Sequence, residues 1–286
     1  MIAIIGAVVV TVCVLGSYVA MGGHIDVLIQ PFELVIIGGS GLGAFLIANP
    51  KHVIFKSFGA IGAILKGPRY KKADYQELLM LLYQTFRLAK TKGMLALEAH
   101  VENPDESALF QQFPGVQHDH HTMDFLCDYL RLLTLGTDNP HEVEGLMDQE
   151  LDAHHHQELH VAHAIKELAE SFPGLGIVAA VLGVIKTMGA ITEPPEVLGH
   201  LIGAALVGTF LGILLCYGFV GPMATAVKSV RDEEHNYLVA IKQGIIAHLQ
   251  GYAPVVSVEF ARKSVPQNVR PSFKEVEDGT GELPPI

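Results

Sequence analysis

An all-α membrane protein is predicted, with four transmembrane helices and a large helical cytoplasmic insert between the second and third. Three observations in the 286 residues predict it. Four apolar stretches, Ile2 to Met21, Leu34 to Ala48, Leu175 to Ile191 and Leu198 to Val220, contain no Asp or Glu. A charged segment of roughly 125 residues separates the second from the third, a length comparable to a small domain. The basic residues are distributed unevenly around these stretches, which fixes an orientation.

The apolar runs suit a hydrocarbon core of ~30 Å at 1.5 Å per helical residue. The first span, about 2–21, is not expected to be a secretory signal: no Lys or Arg precedes it and no small-residue cleavage site closes it. The second covers about 33–49, the third about 174–191 and the fourth about 198–221. Glu33 and Lys186 lie towards span ends, where a side chain reaches the interface. Of the 19 Lys and Arg, 11 fall between Pro50 and Ser171, seven follow Pro222, one is Lys186, and none lies in 22–32 or 192–199. Those two short connections therefore face outward. The insert, the tail and both termini face the cytoplasm. The chain thus divides into 1–49 with the first two spans, the insert 50–172, the second pair of spans 173–222, and a C-terminal helix and tail 223–286.

The insert reads as helical. Asp74 with Glu77 predicts a capping box opening a helix over 75–92, with Leu78, Leu79, Leu82 and Phe86 at helical spacing and a stop at Gly93. A short helix over 94–101 carries Glu98, and a third over 123–135 ends at Gly136. Asn139-Pro140 opens a long helix expected to reach Phe172. Before these, Val53 to Leu65 with Lys56 reads as an amphipathic segment on the membrane surface. The tail is expected to be helical over 224–251 and disordered towards its Pro- and charge-rich end beyond Pro266.

The last two spans are lined with Gly and Ala, including the pair Gly208 and Gly212 at GxxxG spacing. Small residues let helices approach closely in lipid. Such a wall serves bundle packing or leaves room for a partner helix inside a ring, and the sequence leaves both open. Thr209 is the one hydroxyl deep in the fourth span. It serves an ion path or bonds back to its own helix. Pro173 and Pro222 bracket the pair at its cytoplasmic ends, as boundaries or as a matched hinge. An intramembrane acid marks most ion paths. Its absence here means that a carboxylate would have to come from another chain.

The runs QPFELVIIGGSGLGAFLIANP, GLGIVAAVLGVIKTMG, LVGTFLGILLCYGFVGP and GYAPVVSVEFARK, with RPSF following, resemble the A subunit of the flagellar motor stator, the MotA family. The likeness covers nearly the whole chain in order. The wider superfamily includes the TolQ and ExbB energisers, which have one span before the large segment; two spans favour the flagellar branch. The resemblance implies a homo-oligomer, a pentamer around a dimer of a MotB-type B subunit whose single membrane helix carries the ion-binding Asp. It implies that Ala180 and Thr209 face the path, that Tyr217 contacts the partner, and that Pro173 and Pro222 couple conformations. Sodium-driven relatives carry Thr where this chain has Ala180, so the transported ion is expected to be the proton. It further implies contact of charged insert residues with the rotor protein FliG. Glu98 matches unchanged, Lys90 stands where Arg is frequent and lacks its bidentate fork, and Glu150 is a weaker match. Without the resemblance, these three read as a solvated surface.

Histidines point to a rival class. His156, His160 and His163 fall on one helical face at metal-ligand spacing. No HExxH or paired CxxC accompanies them, so neither a metal nor any other cofactor is expected. Two further alternatives are an energiser of outer-membrane processes and a self-sufficient channel. No nucleotide loop or nucleophile constellation suggests an enzyme. The formal charge of -11 argues against nucleic-acid binding. Three cysteines, two within spans, suggest no disulfide framework.

Overall fold

A computed structural model describes residues 2–67 and 69–284. The main helices are α1 (Ile2–Ala20), α2 (31–48), α3 (Lys51–Lys66), α4 (Lys72–Lys92), α5 (Leu95–Glu102), α6 (His120–Thr134), α7 (Pro140–Gly189), α8 (Pro195–Leu249), α9 (Pro254–Ser264) and α10 (Phe273–Gly281). No strand occurs among the described residues. The chain divides into two units: Met1–Gly67 with Gln157–Val230, and Pro68–His156 with Arg231–Ile286.

Among the described residues, four helices are long and apolar enough to cross a membrane, two of them within the first unit and two, α7 and α8, shared with the second. Helix α1 buries none of its residues within the chain, as expected of a surface offered to lipid or to a neighbouring subunit. A single turn, Ile25–Leu28, precedes α2, and extended backbone at Gln30 separates the two. Pro31 then starts α2, with Glu33 in the first turn, where an acid complements the helix dipole. Gly41 receives the Phe172 ring: a Cβ there would lie 2.8 Å from it. Helix α3 buries Val53, Ser57 and Ala60 and exposes Phe55 and Phe58, so the predicted amphipathic segment forms. Its Lys56 pairs with the buried Glu158 carboxylate at 2.6 Å.

The prolines do not end their helices, contrary to the expectation that the insert helix stops at Phe172. Helix α7 runs through Pro173 to Gly189. Proline removes one donor and crowds the carbonyl four residues back. Here Ala169, Phe172 and Ala179 are packed with Ile37 and Cys216, and that buried contact carries the helix past the missing bond. Helix α8 likewise continues past Pro222. The segment Leu214–Val220 just before it winds as π turns, which re-aim backbone carbonyls. A Cβ at Gly221 would stand 2.6 Å from the Cys216 carbonyl oxygen, so the wide turn needs glycine there.

The second unit has its own core. Tyr75, Leu78, Leu79, Leu82 and Phe86 of α4 pack with Phe125, Leu126 and Leu130 of α6, Tyr237, Ile241 and Ile245 of α8, and Val258 of α9. Full burial of such side chains contributes about 2 kcal/mol each. Helix α4 starts earlier than expected, and Asp74 is inside its first turn, accepting the Lys71 backbone N–H at 2.7 Å. Glu77 completes no box: its carboxylate accepts the Gly115 N–H at 2.7 Å. The stops at Gly93 and Gly136 hold, with φ of +85° and +96°, values that glycine adopts without strain.

The tail is ordered where disorder was expected. Ser272 Oγ accepts the Glu275 N–H at 3.2 Å, and Glu275 Oε2 accepts the Ser272 N–H at 2.6 Å, a capping box that opens α10. Lys72 of α4 reaches the same carboxylate at 2.7 Å. Lys72 foremost, with Ser272, pulls the Glu275 carboxyl down to about 2. Gln84 Nε2 donates to the Pro284 carbonyl at 2.8 Å, so the strap follows α4 along its length.

Candidate ion path and charged elbow

The spans of α7 and α8 meet through glycine. A Cβ at Gly176 would lie 2.7 Å from the Gly208 carbonyl oxygen and 3.2 Å from the Gly212 Cα. One at Gly208 would meet Ala179 at 2.9 Å and the Ala180 nitrogen at 3.2 Å, and one at Gly183 would overlap Ala205 at 2.6 Å. The small residues therefore serve close packing of these two helices within one chain, GxxxG pair included.

That contact brings two of the predicted path residues together. Ala180 packs its backbone against Gly208, and Thr209 follows Gly208 on the facing helix. Both are half-buried. Thr187 and Thr225 return their hydroxyls to the carbonyl four residues back, at 2.9 and 3.3 Å. Thr209 makes no such bond, and its hydroxyl remains available. Tyr217 stands apart on the outer face of α8, 73% exposed. No Asp or Glu lies in 34–48, 175–191 or 198–220.

The charged elbow belongs to the other unit. Helix α4 ends at Lys92, Gly93 turns with φ +85° and ψ 164°, and α5 begins at Leu95. Only glycine tolerates that backbone readily. The turn leaves Lys90 and Glu98 exposed on either side of Leu95, itself 74% exposed. Neither charge makes an ion pair among the described residues. Arg87, one turn before Lys90 and also exposed, adds a cation that the sequence reading missed. Its i, i+3 spacing from Lys90 was the available signal. Glu150 is placed elsewhere and is engaged, accepting a hydrogen bond from Tyr129 Oη at 2.6 Å.

The histidines form pairs rather than a metal face. His156, His160 and His163 are exposed. Among the described residues, no three His, Cys, Asp or Glu side chains gather as a ligand set. The contacts that form are His121 with His154 and His155 with His235, each at 4.3 Å between ring centres. The cysteines are free, and burial pushes the Cys127 thiol up to about 12, so it is inert.

Comparison with known proteins places the chain in a family. The family description "Motility protein A N-terminal" matches residues 4–93, and "MotA/TolQ/ExbB proton channel family" matches residues 117–239. Motility protein A of Salmonella typhimurium is 41% identical over 97% of this chain and 94% of its own length. The flagellar MotAB stator complex from Bacillus subtilis contains a chain that superposes with a TM-score of 0.73 at 25% identity, over 90% of this chain and 92% of that one. A chain of C. jejuni MotAB has the same fold, with a TM-score of 0.76 at 18% identity over 93% and 96%. With 97% of its length aligned to a motility protein A and both family descriptions matched in order, the chain belongs to the motility protein A branch of the MotA/TolQ/ExbB proton channel family.

Proposed function

We propose that this chain is the A subunit of a flagellar stator that couples inward proton flow to torque on the rotor. It works in the bacterial inner membrane, with insert, tail and termini in the cytoplasm. Five copies surround a dimer of a MotB-type subunit, which supplies the titrating Asp. The carrying observation is the α7–α8 seam, which sets Ala180 and Thr209, whose hydroxyl makes no hydrogen bond among the described residues, on facing helices in spans devoid of carboxylates.

The chemistry follows from that division. Protonation removes the charge on the partner's Asp, and an uncharged helix fits the apolar surface around Ala180 and Thr209 differently from a charged one. The ring then steps around the partner pair. Entry of each proton is driven by ~2.3 kcal/mol per 100 mV of membrane potential. A dehydrated sodium ion needs several oxygen ligands, and the Ala180 side chain supplies none, which favours the proton.

Torque leaves through the elbow. Arg87, Lys90 and Glu98 present both signs of charge around Leu95, a surface suited to a complementary charged face on the rotor protein FliG. Replacement of Glu98 by lysine is expected to reduce swimming speed severalfold and leave the amount of protein in the membrane unchanged, because Glu98 is exposed and makes no ion pair or side-chain hydrogen bond among the described residues. Tracking of swimming cells alongside quantitation of membrane protein checks it. Wild-type swimming at both low and high load would remove the elbow from the torque path.

A further inference from the structure

We propose that the ring pair His155–His235, together with Asp152 and Asp232, is an acid-released clasp between the two long helices of this chain. His155 lies on α7 and His235 on α8, with ring planes tilted by 33°. His155 Nε2 stands 3.4 Å from Asp232 Oδ1. His235 Nδ1 is enclosed and has no hydrogen-bond partner. Both helices run on from this point into the spans that carry Ala180 and Thr209. The pair therefore controls how tightly those two helices are held together on the side of the insert.

The surrounding groups decide how many protons the pair accepts. His235 is held below its ordinary 6.5, by burial first and then by His155 and, to a lesser degree, His154; Asp152 and Asp232 oppose this. From α6, the His121 ring lies 4.3 Å from that of His154, tilted by 42°. Next to Asp232, Glu234 is tied to Arg69 at 3.0 Å and to Arg231 at 2.7 Å, so it has little charge to offer the imidazoles. The neighbouring Glu233 carboxyl is raised by burial and by Glu234. One proton on the pair is compensated by Asp232 and Asp152. A second would place two half-buried imidazolium rings in contact, which their mutual repulsion opposes.

The sign follows from linkage. A histidine whose folded value is depressed excludes a proton that the separated state accepts. The packed pair is therefore fully held above about pH 6.5 and weakens as pH falls below it. One excluded proton changes the equilibrium by up to about tenfold per pH unit. The helices loosen when the compartment around the insert acidifies. This goes beyond the proposed function and holds whatever ion the spans conduct.

Amide hydrogen exchange on the full-length chain in lipid nanodiscs tests it, after correction for the intrinsic pH dependence of exchange. Protection of residues 231–240 is expected to fall up to about tenfold between pH 6.5 and 5.5 in the wild type, and to stay nearly constant in His235→Gln. Unchanged wild-type protection, or an equal fall in His235→Gln, overturns the proposal. Should His235→Gln fail to fold, ring-nitrogen NMR of the wild type decides alone. Two steps, the second well below pH 6.5, support the pair, whereas both rings titrating independently at the ordinary value overturn it.

Discussion

A Gly176→Val chain is expected to be lost from the membrane, because the valine side chain would be driven into backbone. The atoms it meets are the Gly208 carbonyl oxygen at 2.7 Å, the Gly212 Cα at 3.2 Å and the Thr209 Cα at 3.3 Å from the Cβ alone. None can rotate away, so α7 and α8 must separate. Overpacking in a well-packed contact costs about 1–3 kcal/mol when side chains absorb it, and more when backbone must move. Separation also withdraws Gly183 from Ala205 and Gly212 from Phe172, contacts of the same seam. Gly174 and Gly189 are the controls. Nothing lies within 4 Å of a Cβ built at either; Gly174 is inside helix α7 and Gly189 is its last residue. Alanine is expected to be neutral at Gly189 and neutral or stabilising by up to ~1 kcal/mol at Gly174, since glycine in a helix interior is unfavourable. Immunoblots of membranes and thermal melting in detergent read both sets. Accumulation of Gly176→Val at wild-type level, with wild-type melting, contradicts the described packing.

Pro173→Ala is expected to do the opposite: assemble at least as well as the wild type and abolish most swimming. An alanine at 173 restores a donor for the Ala169 carbonyl, four residues back, and removes the ring that crowds it. An interior proline costs ~3 kcal/mol in a helix, so its removal straightens and stiffens α7. The proline sits one residue from Phe172, which is buried with Ile37 and Cys216, and whose carbonyl oxygen borders Gly212. Bending at this point would therefore move the α7–α8 wall. Pro222, immediately beyond the π turns Leu214–Val220, gives α8 a corresponding weak point. Pro222→Ala is expected to act in the same direction. Swimming assays with membrane quantitation distinguish a rigidified motor from a missing one. Normal motility in both variants would make the two prolines boundaries without a mechanical role.

The fold was legible where charge and glycine speak locally. Spans free of carboxylates, the stops at Gly93 and Gly136, and the 3.6-residue spacing of Leu78, Leu82 and Phe86 all follow from the chain itself. What eluded the sequence depends on contacts between distant residues. Pro173 reads as an end because proline ends isolated helices, and only the packing of Phe172 on Gly41 shows why α7 continues. The tail composition suggested disorder, yet Ser272 and Glu275 form a cap and Lys72 and Gln84 hold the strap down. Spacing on one helix singled out His156, His160 and His163, which are exposed. The histidines that meet, 155 and 235, belong to different helices and share no periodicity. Ala180 and Thr209 were singled out as candidate path residues through resemblance. That they flank one glycine contact, and that Thr209 does not bond back to its own helix, depends on how two helices distant in sequence pack.

Proton flux into vesicles is the most direct measure of whether the acid of this ion path comes from a second chain. The purified chain reconstituted alone, under an imposed potential, should acidify the lumen no faster than empty vesicles. Co-reconstitution with its MotB-type partner should raise the rate well above that background, and Asp→Asn in the partner's membrane helix should return it. Rapid acidification by this chain without the partner would contradict the account.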